Sequence, residues 1–224
     1  TQGRVIRVSL GVLLRGGEAC SVSSSLVSNH WYAYHSVIDR PTRKKIKRLR
    51  KDTEWCGAEV GFHENSTRQD RVDHNARNSN LKWIRGEQWL RDLIWEYMAK
   101  ANNEAGWRYD IADVQDMQLT QYREGMFYGW HFDGQGDHNN ADGMNDEKGR
   151  VRKLSLTLLL NEGYEGGHFE FTRYGNECST IVRPDFSKAG SIIVFPSHIE
   201  HRVTEVTKGV RHSLVAWFIG EPFR

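Results

Sequence analysis

Cysteine is scarce in this chain: among 224 residues only Cys20, Cys56 and Cys178 occur, widely spaced and with no Cys-x-x-Cys pair. Neither a disulfide framework nor a thiolate zinc site is suggested, and a reducing, cytoplasmic setting fits. An excess of one charge is missing as well, because 31 basic and 29 acidic side chains leave a formal net charge of +2. No general field exists to recruit nucleic acid or an anionic membrane, so either partner would require a local patch. Long apolar runs are also lacking, none approaching the roughly 18 residues of a membrane span. Arg4 and Arg7 precede an apolar stretch from Val8 to Leu14, but Arg15 cuts it off and no clean small-residue cleavage pattern follows, which weighs against a signal peptide.

What the chain has in quantity is aromatic side chain, 11% of its residues with eight Trp, the composition of a packed globular protein. Its length suits one domain with a sizeable core. Residues 1–30, with Gly16-Gly17 and a serine-rich run from Ser21 to Ser28, read as a poorly defined extension. Trp31 to Ile38 has strand composition, and Pro41 stands where a proline commonly starts a helix. The basic run Arg43 to Lys51 that follows reads as a solvated helix face, with Ile46 and Leu49 turned inward, rather than a nucleic-acid patch, since no aromatics interleave. Trp55 to Phe62 suggests a strand, and His63 to Asn80 a polar connection ending near Arg77, in which His63 and His74 are surface residues. From Gly86, Trp89, Leu90, Leu93, Ile94, Tyr97, Met98 and Ala101 recur at helical steps, predicting the longest helix, ended by Gly106. Short strands then follow: Val114 to Tyr122, Leu154 to Leu160, Phe169 to Tyr174, Ser191 to Phe195 and Val210 to Ile219. That order predicts an antiparallel sandwich or open barrel backed by helices.

The chemistry gathers at Gln121 to Asp133, a stretch rich in β-forming residues that ends in His-x-Asp. On a strand, His131 and Asp133 project to one face while Trp130 and Phe132 turn to the other. An imidazole and a carboxylate become a 2-His-1-carboxylate iron site when a second imidazole joins them. His198 and His201 both stand in FPSHIEH, and spacing alone does not choose between them. Arg211 lies beyond, at the start of a strand whose alternate residues are Ser213, Val215 and Trp217. An arginine on an inner face is costly unless an anion meets it, either a protein carboxylate or a ligand.

Tyr122, Gly125, Tyr128, His131 and Asp133, then Ser155, the Tyr164-Glu165-Gly166-Gly167 turn, Pro196 to Val203 and Arg211, form a recognisable series. In it the chain resembles the Fe(II)- and 2-oxoglutarate-dependent dioxygenases, and within them the prolyl 4-hydroxylase-like and PKHD-type hydroxylases. The resemblance implies an α+β fold: a double-stranded β-helix (jelly-roll, cupin-like) core of antiparallel strands over residues 111–224, with residues 31–110 as helical support, all one structural domain. It selects His201 as ligand, so that His131, Asp133 and His201 would hold Fe(II). Arg211 and Tyr122 would bind the far carboxylate of 2-oxoglutarate, Ser155 and Trp217 would line the cosubstrate pocket, and Tyr128 would face the substrate. Dioxygen is the co-reactant and ascorbate the expected reductant. Animal and plant prolyl hydroxylases usually carry lysine where this chain has Arg211, and often tyrosine where it has Leu159; the arginine is the PKHD-like choice.

The activity so implied is hydroxylation of a substrate C–H with release of succinate and CO2, foremost on peptidyl proline. Alternatives are a free amino acid, a small metabolite or alkylated nucleic acid, or a non-catalytic metal- or sugar-binding barrel. A peptide or protein is the expected partner, a small molecule a further one, and neither nucleic acid nor membrane is expected. The glycine-rich polar stretch Gly134 to Arg150, which leaves beside Asp133, is expected to be a substrate lid.

Overall fold

The computed structural model describes residues 30–49, 51, 53–57, 76–134, 149–174 and 179–223. The expectations for residues 1–29, His63, His74 and the central part of the Gly134 to Arg150 stretch lie outside the described residues. In chain order the elements are β1 (Tyr32–Tyr34), α1 (Arg40–Arg48), β2 (Cys56–Gly57), β3 (Arg77–Asn78), β4 (Asn80–Ile84) and α2 (Gln88–Glu104). Then come β5 (Asp113–Val114), β6 (Met117–Tyr122), β7 (Phe127–His131), β8 (Val151–Leu159), β9 (Glu165–Gly166), β10 (Phe169–Tyr174) and β11 (Ser179–Val182). The last four are β12 (Ile192–Pro196), β13 (His201–Val203), β14 (Val206–Lys208) and β15 (Arg211–Gly220).

α1 forms for local reasons. The Asp39 carboxylate accepts from Thr42 N at 2.8 Å, and Pro41 occupies the first turn, where no N–H is needed. Ile46 is its buried anchor, contributing about 1.5–3 kcal/mol by leaving water. Lys45 covers the Trp89 ring at 3.6 Å, while Arg40, Lys44 and Arg48 line an open groove of about 510 Å³ with Pro41 and Leu49. The basic run is therefore a solvated helix face. α2 buries Leu90, Ile94, Met98 and Ala101, one stripe at steps of four and three. Gly106, at φ +79°, stops it. Among the described residues no helix is long and apolar enough to cross a membrane.

Two antiparallel sheets carry the rest. The larger runs β1-β12-β8-β15-β6-β4-β2, with β5 beside β15; the smaller runs β11-β10-β13-β7-β3; a β9-β14 ribbon stands apart. One face of the larger sheet packs Leu154, Leu156, Leu158, Leu214, Ala216 and Phe218 on the helices. Its opposite face sets Tyr122, Leu159, Ile193 and Phe195 against Phe169, Phe171 and Val203 of the smaller sheet. β8 and β15 are covered on both sides, so even the polar Ser155, Thr157 and Ser213 on them are buried. The outcome is the expected helix-backed antiparallel double sheet, and the sheets do not close into one barrel. The Tyr164 to Gly167 turn contains β9, which pairs with β14.

Candidate active site

The site begins with an irregularity in the smaller sheet. His131 pairs with His201 and Tyr128 with Val203, so three steps along β7 match two along β13, which is a β-bulge. On a regular strand Tyr128 and His131 would face opposite ways; the bulge turns both inward, and their rings stack 3.5 Å apart at 13°. β7 ends at His131, so Asp133 sits in the following bend rather than on the strand. Its place is fixed by backbone bonds. Asp133 N and Gly134 N both donate to Ser197 O at 3.0 Å, and Arg152 Nη1 donates to Asp133 O at 3.1 Å. Arg152 Nε in turn donates to Gln115 Oε1 at 2.6 Å, and its guanidinium lies 4.3 Å over Trp217. A Cβ at Gly134 would stand 2.9 Å from Arg152 Cβ, so the close approach requires glycine.

Two imidazoles and a carboxylate converge there. His131 Nε2 is 3.7 Å from Asp133 Oδ1 and His201 Nε2 is 3.5 Å from Oδ2, the candidate ligand atoms all lying within 4.8 Å of one another. Each imidazole is oriented from behind: His131 Nδ1 donates to Gly129 O at 2.8 Å and His201 Nδ1 to Ile199 O at 2.9 Å. A carbonyl can only accept, so Nδ1 carries a proton in each ring and Nε2 is the nitrogen turned toward Asp133. Burial opposes ionisation of Asp133, but His201, His131 and Arg152 outweigh it and hold the carboxyl well below the usual range. Burial, followed by the neighbouring His131, pushes His201 down to about 4. The set therefore offers two imidazole nitrogens and one carboxylate, with outward hydrogen bonds of the kind that orient metal ligands. Among the described residues no other group of this kind occurs. His198 stays outside it, edge-on to Phe223.

Arg211 opens β15 opposite Tyr122, whose ring centroid is 5.5 Å from its guanidinium carbon. It is 1% exposed and donates from Nη1 to Ser213 Oγ at 3.0 Å, while Nε is buried without a partner. No carboxylate of the described residues pairs with it, which removes the protein ion pair as its explanation. Gly167, at φ +57°, leaves the space; a Cβ there would be 3.0 Å from Arg211 Cδ. A buried guanidinium with an orphaned N–H is what an oxoacid carboxylate would complete, so the residues fit 2-oxoglutarate as well as a metal. Ser155 and Trp217 are cross-strand neighbours placed nearer Asp133: Ser155 Oγ is 2.9 Å from Ser197 Oγ, and Trp217 lies under Arg152. Sequence reasoning missed Arg152 and Ser197, which hold Asp133, and Arg77, whose guanidinium covers the Tyr128 ring at 4.3 Å.

Residues 117–219, which carry most of the site, match the model of the 2OG-Fe(II) oxygenase superfamily. Among the curated proteins it is similar to are PKHD-type hydroxylases. One from Parvibaculum lavamentivorans is 38% identical over 101 residues, 44% of this chain and 39% of the relative. Another, from Thermosynechococcus vestitus, is 40% identical over 107 residues, 46% of this chain and 42% of the relative. The chain thus spans less than half the length of these curated relatives. Among solved structures, a Pseudomonas putida prolyl-4-hydroxylase aligns with TM-score 0.60 at 22% identity, over 84% of this chain and 92% of that one. A viral collagen prolyl hydroxylase from Paramecium Bursaria Chlorella virus-1 gives 0.57 at 19% identity, over 86% and 97%. A Trichoplax adhaerens prolyl hydroxylase, in complex with a hypoxia inducible factor peptide fragment, gives 0.59 at 16%, over 85% and 84%. These likenesses establish the double-stranded β-helix fold.

Proposed function

We propose that the chain is an Fe(II)- and 2-oxoglutarate-dependent dioxygenase that hydroxylates a substrate C–H, with peptidyl proline the foremost substrate. The observation that carries this reading is Arg211, a buried guanidinium with an unpartnered Nε on the larger sheet, in a fold whose smaller sheet brings together His131, Asp133 and His201. His131, Asp133 and His201 would hold Fe(II), which when bound supplies the reduced centre that couples 2-oxoglutarate and O2 to succinate, CO2 and a hydroxylated substrate. Arg211 would receive the far carboxylate of 2-oxoglutarate, with the Tyr122 hydroxyl as a second donor, a charge-assisted contact worth about 1.5–3 kcal/mol. Arg152 and Ser197 hold the Asp133 backbone, so the carboxylate is already in place before a metal arrives. Tyr128, its ring faces taken by His131 and Arg77, would offer the substrate its ring edge and a hydroxyl that stays protonated, burial pushing it up to about 12. Ser155 and Trp217 would complete the pocket wall, and ascorbate would serve as reductant.

The test is succinate formation from 2-oxoglutarate under Fe(II) and air, with and without ascorbate, screened across proline-containing peptides, free amino acids and methylated oligonucleotides. Succinate above background with a proline peptide, accompanied by a product heavier by one oxygen, is the expected result. Stimulation by the free amino acids or oligonucleotides alone would move the substrate away from peptidyl proline. No succinate with any of them would contradict the catalytic reading.

A further inference from the structure

A second buried arginine stands on the other side of Tyr128 from the metal ligands. Arg77 is 7% exposed, its guanidinium carbon lies 4.3 Å over the Tyr128 ring, and that ring stacks 3.5 Å from His131. The two neighbours cannot share one face of the ring, so the order is Arg77, Tyr128, His131. Arg77 Nε donates to Ser79 Oγ at 2.9 Å and Nη2 to Gln118 Oε1 at 2.8 Å. Both acceptors are neutral. Among the described residues no carboxylate lies within 4.0 Å of Arg77, and its Nη1 has no hydrogen-bond partner. Unlike Arg211 Nε, Nη1 is not sealed from solvent. Asp133, whose charge acts on Tyr128, is engaged between His131 and His201.

A desolvated cation with two neutral acceptors and one ring is under-compensated, and a fourth contact from an anion would relieve it. Glutamate at position 118 would supply that charge from within the protein, but the chain has glutamine, buried to 3% exposure and positioned by Thr120 Oγ1 at 3.3 Å. We infer that Arg77 is a substrate-binding residue that selects a carboxylate-bearing substrate, holding the carboxylate across Tyr128 from the metal set. The inference rests on the proposed function and narrows it. The carboxylate is either the acid's own terminal group or the side chain of an aspartate or glutamate beside the hydroxylated residue; the chemistry at Arg77 is the same. The competing account makes Arg77 a clamp that fastens β3 onto Tyr128 and touches no substrate.

The test titrates anaerobic protein, loaded with Fe(II) and 2-oxoglutarate, with two pairs of probes: N-acetylproline against its carboxamide, and a capped Pro-Asp dipeptide against capped Pro-Asn. Wild type should bind at least one carboxylate about ten- to a hundredfold more tightly than its amide. In Gln118→Glu, an isosteric change that places a carboxylate at the Arg77 guanidinium, that ratio should fall to about one. Affinity for 2-oxoglutarate, titrated separately in each protein, should not change. The pair that discriminates identifies the source of the carboxylate. Absence of preference in wild type, including failure of all four probes to bind, overturns the inference, as does a preference that survives Gln118→Glu. Failure of wild type to bind 2-oxoglutarate would count against the functional reading instead, and it is read in its own titration.

Discussion

His131, Asp133 and His201 reach one point from a strand end, a bend and a strand start; main-chain carbonyls orient the two imidazoles, while Ser197 O and the Arg152 side chain hold the Asp133 backbone. Replacing any one with alanine leaves two ligands, so Fe(II) affinity should fall about a hundredfold or more while the fold persists. Anaerobic equilibrium dialysis with Fe(II), with thermal unfolding to confirm the fold, measures this, and His198→Ala should match wild type. Normal Fe(II) affinity in His201→Ala would mean that the other histidine is the ligand. Much of this site was legible in the sequence only as an ordered series: His-x-Asp alone is a weak signal, and it was the run from Tyr122 to Arg211 that carried the resemblance and selected His201. Arg77 was not, because its two-residue strand carries no alternation and its meaning comes from Tyr128 and Gln118, far along the chain. Arg152 and Ser197 were hidden for the same reason, since they act on a backbone carbonyl and backbone amides.

At the scale of elements, periodicity served where an element has one wet and one dry face or a continuous apolar run. α2, β8, β10, β12 and β15 lie where the sequence predicts them, within a few residues. β11, β13 and β14 carry three or four residues with much polar character, too few for a period to register, and they exist because β10, β7 and β9 offer them partners. The bulge in β7 is invisible in sequence for a related reason: it is a property of pairing with β13, yet it is what brings Tyr128 beside His131. Connections matter as much as strands. Gly190, at φ +86°, accepts from Ile38 N at 3.0 Å and donates to Leu159 O at 2.7 Å, stitching the approach to α1 onto the larger sheet. A Cβ there would stand 2.2 Å from Ile38 O. Gly190→Ala should therefore cost about 2 kcal/mol or more, read as a lower urea midpoint at unchanged slope. A wild-type midpoint would show that this junction carries no strain and contributes little.

The molecule as a whole divides its labour between the two faces of the larger sheet. One face meets the helices through aliphatic side chains, and the other carries Tyr122, Arg211 and Ser155 into the space shared with the smaller sheet. Polar groups are tolerated on that inner face because most find partners there; Arg211 Nε and Trp217 Nε1 do not, and the proposed function puts the ligand at the first of these. The fold, and through the resemblance the cluster of His131, Asp133 and His201, could be named from sequence because they depend on a few residues in fixed order. Substrate choice could not, since it depends on what the assembled sheets leave uncompensated. The central claim is that the metal set and Arg211 form one binding site for 2-oxoglutarate. Its most direct test is anaerobic equilibrium dialysis of labelled 2-oxoglutarate against wild type and Arg211→Ala, each with and without Fe(II). Wild type should bind one equivalent in a manner that requires Fe(II), and Arg211→Ala should lose roughly two or more powers of ten in affinity, the usual penalty for leaving a buried charge unpaired. Equal binding by the two proteins, or binding indifferent to Fe(II), would contradict it.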